Sequence, residues 1–160
     1  MIVNSSVQDR TYGAATSSTA EITAGGAFLR GHLSEPLIHR VCNVGLGDAR
    51  MIGAELKAAP PVSGSSPLRD PCHSIQKEHD RLRVYRLGIQ PDQTTGRISY
   101  DFYGLTVVLG AAVISVEDEL HNETLISCSA GDAIWHSPRS NFTISNLGQV
   151  EYRAIVAEWR

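Results

Sequence analysis

Val41-Cys42-Asn43-Val44-Gly45 and Ile144-Ser145-Asn146-Leu147-Gly148 open two copies of one pattern. The first continues through Arg50, Ile52 and Glu55, the second through Arg153, Ile155 and Glu158. Asn43 and Asn146, Arg50 and Arg153, Glu55 and Glu158 each stand 103 positions apart. Apolar runs on either side of an Asn-x-Gly turn read as strand, turn, strand. A constant offset over such a unit implies a duplicated β-domain, of which the first copy keeps only its back half. An upstream continuation carrying the rest of that copy would make the protein a full two-unit form.

Outward from the repeat, the chain reads as one strand after another. Arg81–Ile89 is a long strand whose apolar positions change face, which suggests a bulge near Val84. Pro91-Asp92-Gln93-Thr94-Thr95-Gly96 is turn chemistry, followed by strands over Ile98–Leu109 and Ala111–Val116. Glu117–Asn122 is a polar hairpin tip, Thr124–Ser127 a strand, and Ala130-Gly131-Asp132 a tight turn. Ala133–His136, Asn141–Ser145 and Tyr152–Trp159 complete the set. Short strands with Gly, Pro and Asp turns argue for an all-β sandwich or barrel. Residues 1–23 carry no strong period and are expected to form a draped N-terminal arm. Residues 24–56 are the partial repeat, packing on the main barrel or on a partner. Residues 57–74 are a linker, and 75–160 the main barrel.

A chain of 160 residues is long enough for a real core without a metal or disulfide staple. Its net charge of −3 is spread along the chain, so no basic stripe suits a nucleic acid or a membrane surface. Three cysteines without a CxxC pair fit free thiols in a reducing compartment. The N-terminus has no signal-peptide pattern, and the cytoplasm is the expected location.

The stretches Glu78-His79-Asp80-Arg81-Leu82-Arg83-Val84-Tyr85-Arg86, Pro91-Asp92…Thr95-Gly96, Val107-Val108-Leu109, Ala130-Gly131-Asp132 with Trp135, and Ile144–Gly148 stand in a telling order. That order resembles the cupins over roughly residues 76–160. The resemblance implies a cupin jelly-roll barrel, also called a double-stranded β-helix. The partial second cupin unit would add extra N-terminal strands, in the manner of a bicupin. Cupins usually hold a first-row metal on three His and one Glu. Carried over by the motifs, the two His of the first motif fall on Ile98 and Tyr100. The Glu falls on Gly104 and the His of the second motif on Phe142. None of these residues matches the pattern, so no metal and no cofactor is expected at the family's site. The first copy has His39 where the second has Phe142, a ligand only if a non-standard site exists.

The former metal positions become the candidate ligand pocket: Ile98, Tyr100, Tyr103, Gly104, Trp135 and Phe142, with Arg86. Tyr100, Phe102 and Tyr103 either fill the vacated space as core or line an aromatic pocket whose phenol orients a small ligand. Strand alternation allows only one of Trp135 and His136 to point inward, and Trp135 is expected there with His136 at the rim. His121 and His73 are expected in solvent, and His32 and His79 carry no site spacing. Arg83, Arg86 and Arg97 form either a solvated face or an anion site. Arg153 and Glu158 are expected to pair across strands, as are Arg50 and Glu55.

Two functions follow from the resemblance. One is a metal-free cupin that binds a small molecule or serves in assembly. The other is a cupin enzyme of dioxygenase, isomerase or epimerase type, metal-free or with a non-standard metal site. Some epimerases of this family use a His/Asp pair and a Tyr, and the sequence offers the Tyr without an evident pair. No catalytic residue is assigned. A homodimer is expected, because the strands of the partial repeat need an edge to pair with.

Overall fold

A computed structural model describes residues 1–12, 18–29, 38–61 and 66–160. They are built from fourteen strands. The first five are β1 (Ile2–Asn4), β2 (Val7–Tyr12), β3 (Ser18–Ile22), β4 (Ile38–Asn43) and β5 (Arg50–Met51). The next five are β6 (His73–His79), β7 (Leu82–Ile89), β8 (Ile98–Tyr100), β9 (Gly104–Val108) and β10 (Ala112–Glu117). The last are β11 (Glu123–Cys128), β12 (Ala133–His136), β13 (Arg139–Asn146) and β14 (Tyr152–Trp159). No helix among the described residues is long and apolar enough to cross a membrane. The chain divides into two compact units, Met1–Gly53 and Ala54–Arg160.

The second unit has two antiparallel sheets, ordered β12-β9-β14-β7-β6 and β11-β10-β13-β8. One core cluster draws on both. Tyr85, Leu87, Ile89, Tyr152, Ala154 and Val156 come from the first sheet, and Ile98, Tyr100, Ile114, Phe142 and Ile144 from the second. In β7 the odd-numbered residues supply that core, as strand alternation requires. β7 pairs without interruption along β14 from Leu82 to Ile89. The irregularity expected near Val84 lies instead on the neighbouring strand β6, between Ile75 and Lys77, where they face Tyr85 and Val84. The single strand expected over Ile98–Leu109 is two strands, since Asp101-Phe102-Tyr103 carries the chain from one sheet to the other.

The first unit repeats the back of the second. Gly45 N–H donates to Asn43 Oδ1 (3.1 Å) and Asn43 Nδ2 donates to the Gly47 carbonyl (2.6 Å). Gly148 N–H donates to Asn146 Oδ1 (2.9 Å) and Asn146 Nδ2 to the Val150 carbonyl (2.8 Å). The likeness extends upstream of the quoted repeat. Gly25 and Gly131 take positive φ (76° and 91°), which costs glycine nothing. Gly25 N–H donates to the Ile2 carbonyl as Gly131 N–H does to that of Val108, both at 2.9 Å. β1 therefore matches the end of β9, and the order β3-β2-β4 matches β11-β10-β13. The pair β1-β5 likewise matches β9-β14. The described residues of the expected arm, 1–12 and 18–23, are thus strand-bearing. They supply β1, β2 and β3 of the first unit.

Candidate functional site

Four strands bring the former ligand positions together inside the second unit. β13 pairs with β8 so that Phe142 faces Ile98 and Arg139 faces Tyr100, and β12 pairs with β9 so that His136 faces Gly104. Ile98, Tyr100 and Phe142 are buried. The Tyr100 ring stacks on Phe102 (5.0 Å between centroids), meets Phe142 edge-on (4.9 Å) and tilts against His136 (5.0 Å). Gly104 leaves no room for a side chain: a Cβ there would run into the Ala157 carbonyl and stand 2.5 Å from the His136 imidazole.

These residues do not fit a metal. Ile98 and Phe142 have no donor atom and Gly104 no side chain. Burial, with Tyr152 and Asp70 nearby, drives the Tyr100 phenol well above its ordinary pKa, so the ligating phenolate is disfavoured. Among the described residues no three His, Cys, Asp or Glu side chains are grouped to hold an ion. His39, in the first unit, bonds through Nδ1 to Asp9 Oδ1 (2.9 Å), whose side chain is fully buried.

The sequence reading missed a buried polar chain. His73, expected in solvent, opens β6 with its side chain sealed from water. Its Nδ1 lies 2.9 Å from Asp70 Oδ1 and its Nε2 2.7 Å from the Tyr100 hydroxyl. A carboxylate accepts only, so Nδ1 carries the proton; Nε2 then accepts, and the Tyr100 O–H donates. Burial pushes the Asp70 carboxyl up, but the hydrogen bonds from His73 and the Cys72 N–H outweigh it and hold its pKa below the ordinary value. The signal was present as Asp70-Pro71-Cys72-His73. Its composition read as linker, whereas Leu68 and Cys72 pack against the core cluster. His32 lies outside the described residues.

Trp135 and His136 are the reverse of expectation. Trp135 is 52% exposed and packs on Trp159 (3.9 Å between centroids). His136 turns inward against Tyr100 and Phe102 (5.6 Å), and among the described residues neither sealed ring nitrogen has a side-chain bonding partner. Burial, and secondarily the charge of Arg139, pulls the His136 pKa down to about 4, against a small opposing effect of the Phe102 backbone. Arg86 is exposed on the outward face of β7, away from the cluster. Tyr103 is half-buried in the crossover beside it. Arg83 is neither solvated nor an anion site. It is buried, bonding Glu158 (3.0 Å) and Glu78 (2.8 Å), and the Tyr85 hydroxyl donates to Glu158 at 2.7 Å. Glu158 therefore pairs with Arg83 and not with Arg153.

A cavity of about 570 Å³ opens beside the cluster, with Phe142 in its wall. Val116, Ile126 and Leu120 give it an apolar side, and Asp118, Glu119 and Arg139 a charged one. The Arg139 guanidinium lies 3.8 Å from the centre of the Phe142 ring and has no ion pair among the described residues. Asp118 is engaged by the Leu120 and Asn122 N–H groups of its own hairpin (2.8 and 2.9 Å). Arg97 anchors the same hairpin, bonding the Asp118 carbonyl and the Glu117 carboxylate.

This fold has counterparts among solved structures. A cupin domain from Bordetella pertussis Tohama I superposes with a TM-score of 0.52 at 14% identity, over 59% of this chain and 99% of that one. This chain has the cupin fold. A mutant of Bacillus subtilis oxalate decarboxylase matches this chain with a TM-score of 0.59 at 8% identity. That match covers 98% of this chain but 61% of the decarboxylase. At these identities the likeness is one of fold. No protein-family profile and no curated protein sequence matches the chain.

Proposed function

We propose that this cupin binds a small organic anion without a metal, in the cavity walled by Phe142 and Arg139. One observation carries the reading: a cavity of about 570 Å³ ends on Phe142, the position where the resemblance would put a metal-binding His. Its size suits a small ligand, and its apolar side suits a hydrocarbon or aromatic body. Among the described residues Arg139 supplies the one cation of that wall and makes no ion pair, which suits bidentate binding of a carboxylate. Thermal shift with a panel of small aliphatic and aromatic carboxylic acids tests this. At least one acid should raise the Tm, and Arg139→Ala should abolish that rise while keeping the Tm of the free protein. No shift across the panel, or a shift unchanged in Arg139→Ala, rejects the reading.

The Asp70–His73–Tyr100 chain supports a second reading, a metal-free acid–base enzyme. It supplies the His/Asp pair that the sequence left unidentified. In such an enzyme His73 Nε2 would take the proton of the Tyr100 hydroxyl, Asp70 would hold the resulting imidazolium, and the phenolate would take a proton from the substrate. The Tyr100 hydroxyl is buried, so substrate would have to displace Phe142 or the Leu68–Cys72 segment to reach it. With any turnover assay in hand, loss of kcat in both His73→Gln and Tyr100→Phe favours this reading, and full activity in either excludes it.

A further inference from the structure

The cavity beside Phe142 carries charges of both signs, and the chain fixes them relative to each other. On one side stands Arg139 of β13, its guanidinium over the Phe142 ring. On the other stands the hairpin between β10 and β11, which sets Asp118 and Glu119 in the wall. Arg97 ties the two sides together. Its Nη1 donates both to the Asp118 carbonyl (3.1 Å) and to the carbonyl of Asn141 in β13 (2.6 Å). Its Nη2 donates to the Glu117 carboxylate at 3.2 Å. The hairpin is therefore positioned before any ligand arrives, which lowers the cost of binding.

The described wall sets two carboxylates, Asp118 and Glu119, against the Arg139 guanidinium. Asp118 is ionised: the Asn122 side chain and N–H, helped by the Leu120 N–H and the Arg97 charge, outweigh burial and hold its pKa below the ordinary value. Its Oδ1 takes the Leu120 and Asn122 N–H groups, whereas its Oδ2 takes the Asn122 side-chain amide at 3.0 Å and keeps room for a further donor. Glu119 is exposed and makes no hydrogen bond or ion pair among the described residues. A plain carboxylic acid held by Arg139 would turn its negative charge toward these two carboxylates, and like charges in one site repel. A ligand with an ammonium group beside its carboxylate satisfies both sides. Val116, Leu120, Ile126 and Phe142 leave an apolar wall for its body.

We infer that the cavity takes a zwitterionic amino acid with an apolar side chain, Arg139 holding its carboxylate and Glu119 with Asp118 holding its ammonium group. This rests on the anion site proposed above and names the class of its ligand.

Calorimetry on the full chain tests it with matched probes. L-Phenylalanine is compared with hydrocinnamate, which lacks the amine, and with phenethylamine, which lacks the carboxylate. L-Leucine is compared with isocaproate and isoamylamine in the same way. Each amino acid should bind at least about tenfold more tightly than its acid and its amine. Arg139→Ala should abolish binding of amino acids and acids alike. Changing Asp118→Asn and Glu119→Gln together should bring each amino acid and its acid to within about threefold of each other. Glu119 stands outside the hairpin's own bonds, so Glu119→Gln alone keeps the test valid if the double change disturbs the hairpin. An acid or amine that binds as tightly as its amino acid overturns the proposal, as does a preference unchanged in both variants. If the acids bind through Arg139 with no preference for the amino acids, the anion site stands and this inference fails. If no compound binds, both fail.

Discussion

His136 and Tyr100 stand at the centre of the buried aromatic cluster at the scale of single residues. The imidazole sits in the space that Gly104 leaves, and its pKa falls to about 4 because burial resists the cation. The unfolded imidazole titrates near about 6.5, so across the interval from there to 4 the unfolded chain takes up a proton that the folded chain refuses. Stability is full above that interval and falls as pH drops through it. Urea denaturation at about pH 7, 5.5 and 4.5 should show this decline, and His136→Leu should flatten it. Equal slopes in the two proteins would contradict the buried neutral imidazole. Tyr100→Phe should destabilise the fold by about 1–3 kcal/mol, because it strands His73 Nε2 without a donor in a sealed site. The sequence identified where Ile98, Tyr100, Gly104 and Phe142 converge, since motif order fixes those positions along the strands. It did not identify His73. A Pro-containing stretch reads as solvated linker, and only the packing of Leu68 and Cys72 on the core draws the imidazole inside. Nor did it orient Trp135 and His136, because alternation says that one turns inward but not which. Trp159, waiting on the outer face, decides it.

At the scale of elements, β7 and β14 are joined by more than their ladder. Arg83 and Glu158 stand opposite each other in register and pair inside the protein, with the Tyr85 hydroxyl closing the group. Burial opposes the Arg83 charge, but Tyr85, Glu78 and Glu158 outweigh it and hold its pKa above the ordinary value. Removing one partner leaves an uncompensated buried charge, so Glu158→Gln or Arg83→Met should cost about 3–5 kcal/mol. The double change Arg83→Met with Glu158→Gln should cost less than the sum of the single ones, as a double-mutant cycle in urea would measure. The repeat turns offer a second comparison. Asn146→Ala loses bonds to Ile89, Val150 and Gly148 and should cost about 2–3 kcal/mol. Asn43→Ala loses turn bonds in an exposed setting and should cost about 1 kcal/mol. The strands from Leu82 onward were legible, because alternation and turn residues bound them. The break at Asp101-Phe102-Tyr103 was not, since apolar residues continue through a crossover that buries Phe102 in the same core.

On the scale of the whole molecule, the repeat is the frame of the protein. It was readable because the Asn-x-Gly turn and its flanking strands survive at constant spacing. Its extension to β1, β2 and β3 was not readable, because identity fades there while the hydrogen bonds of Ile2 with Gly25 and Gly26 persist. At the positions where the resemblance would put metal-binding imidazoles, an aromatic cluster and an inward His136 occupy the middle of the second unit. The most direct measurement is metal content by mass spectrometry on untagged protein, before and after incubation with iron, manganese, nickel and zinc. The account predicts far less than one metal per chain in every sample, with unchanged thermal stability. A metal near one per chain that raises the Tm, and that is lost in His136→Leu or His39→Ala, would contradict it.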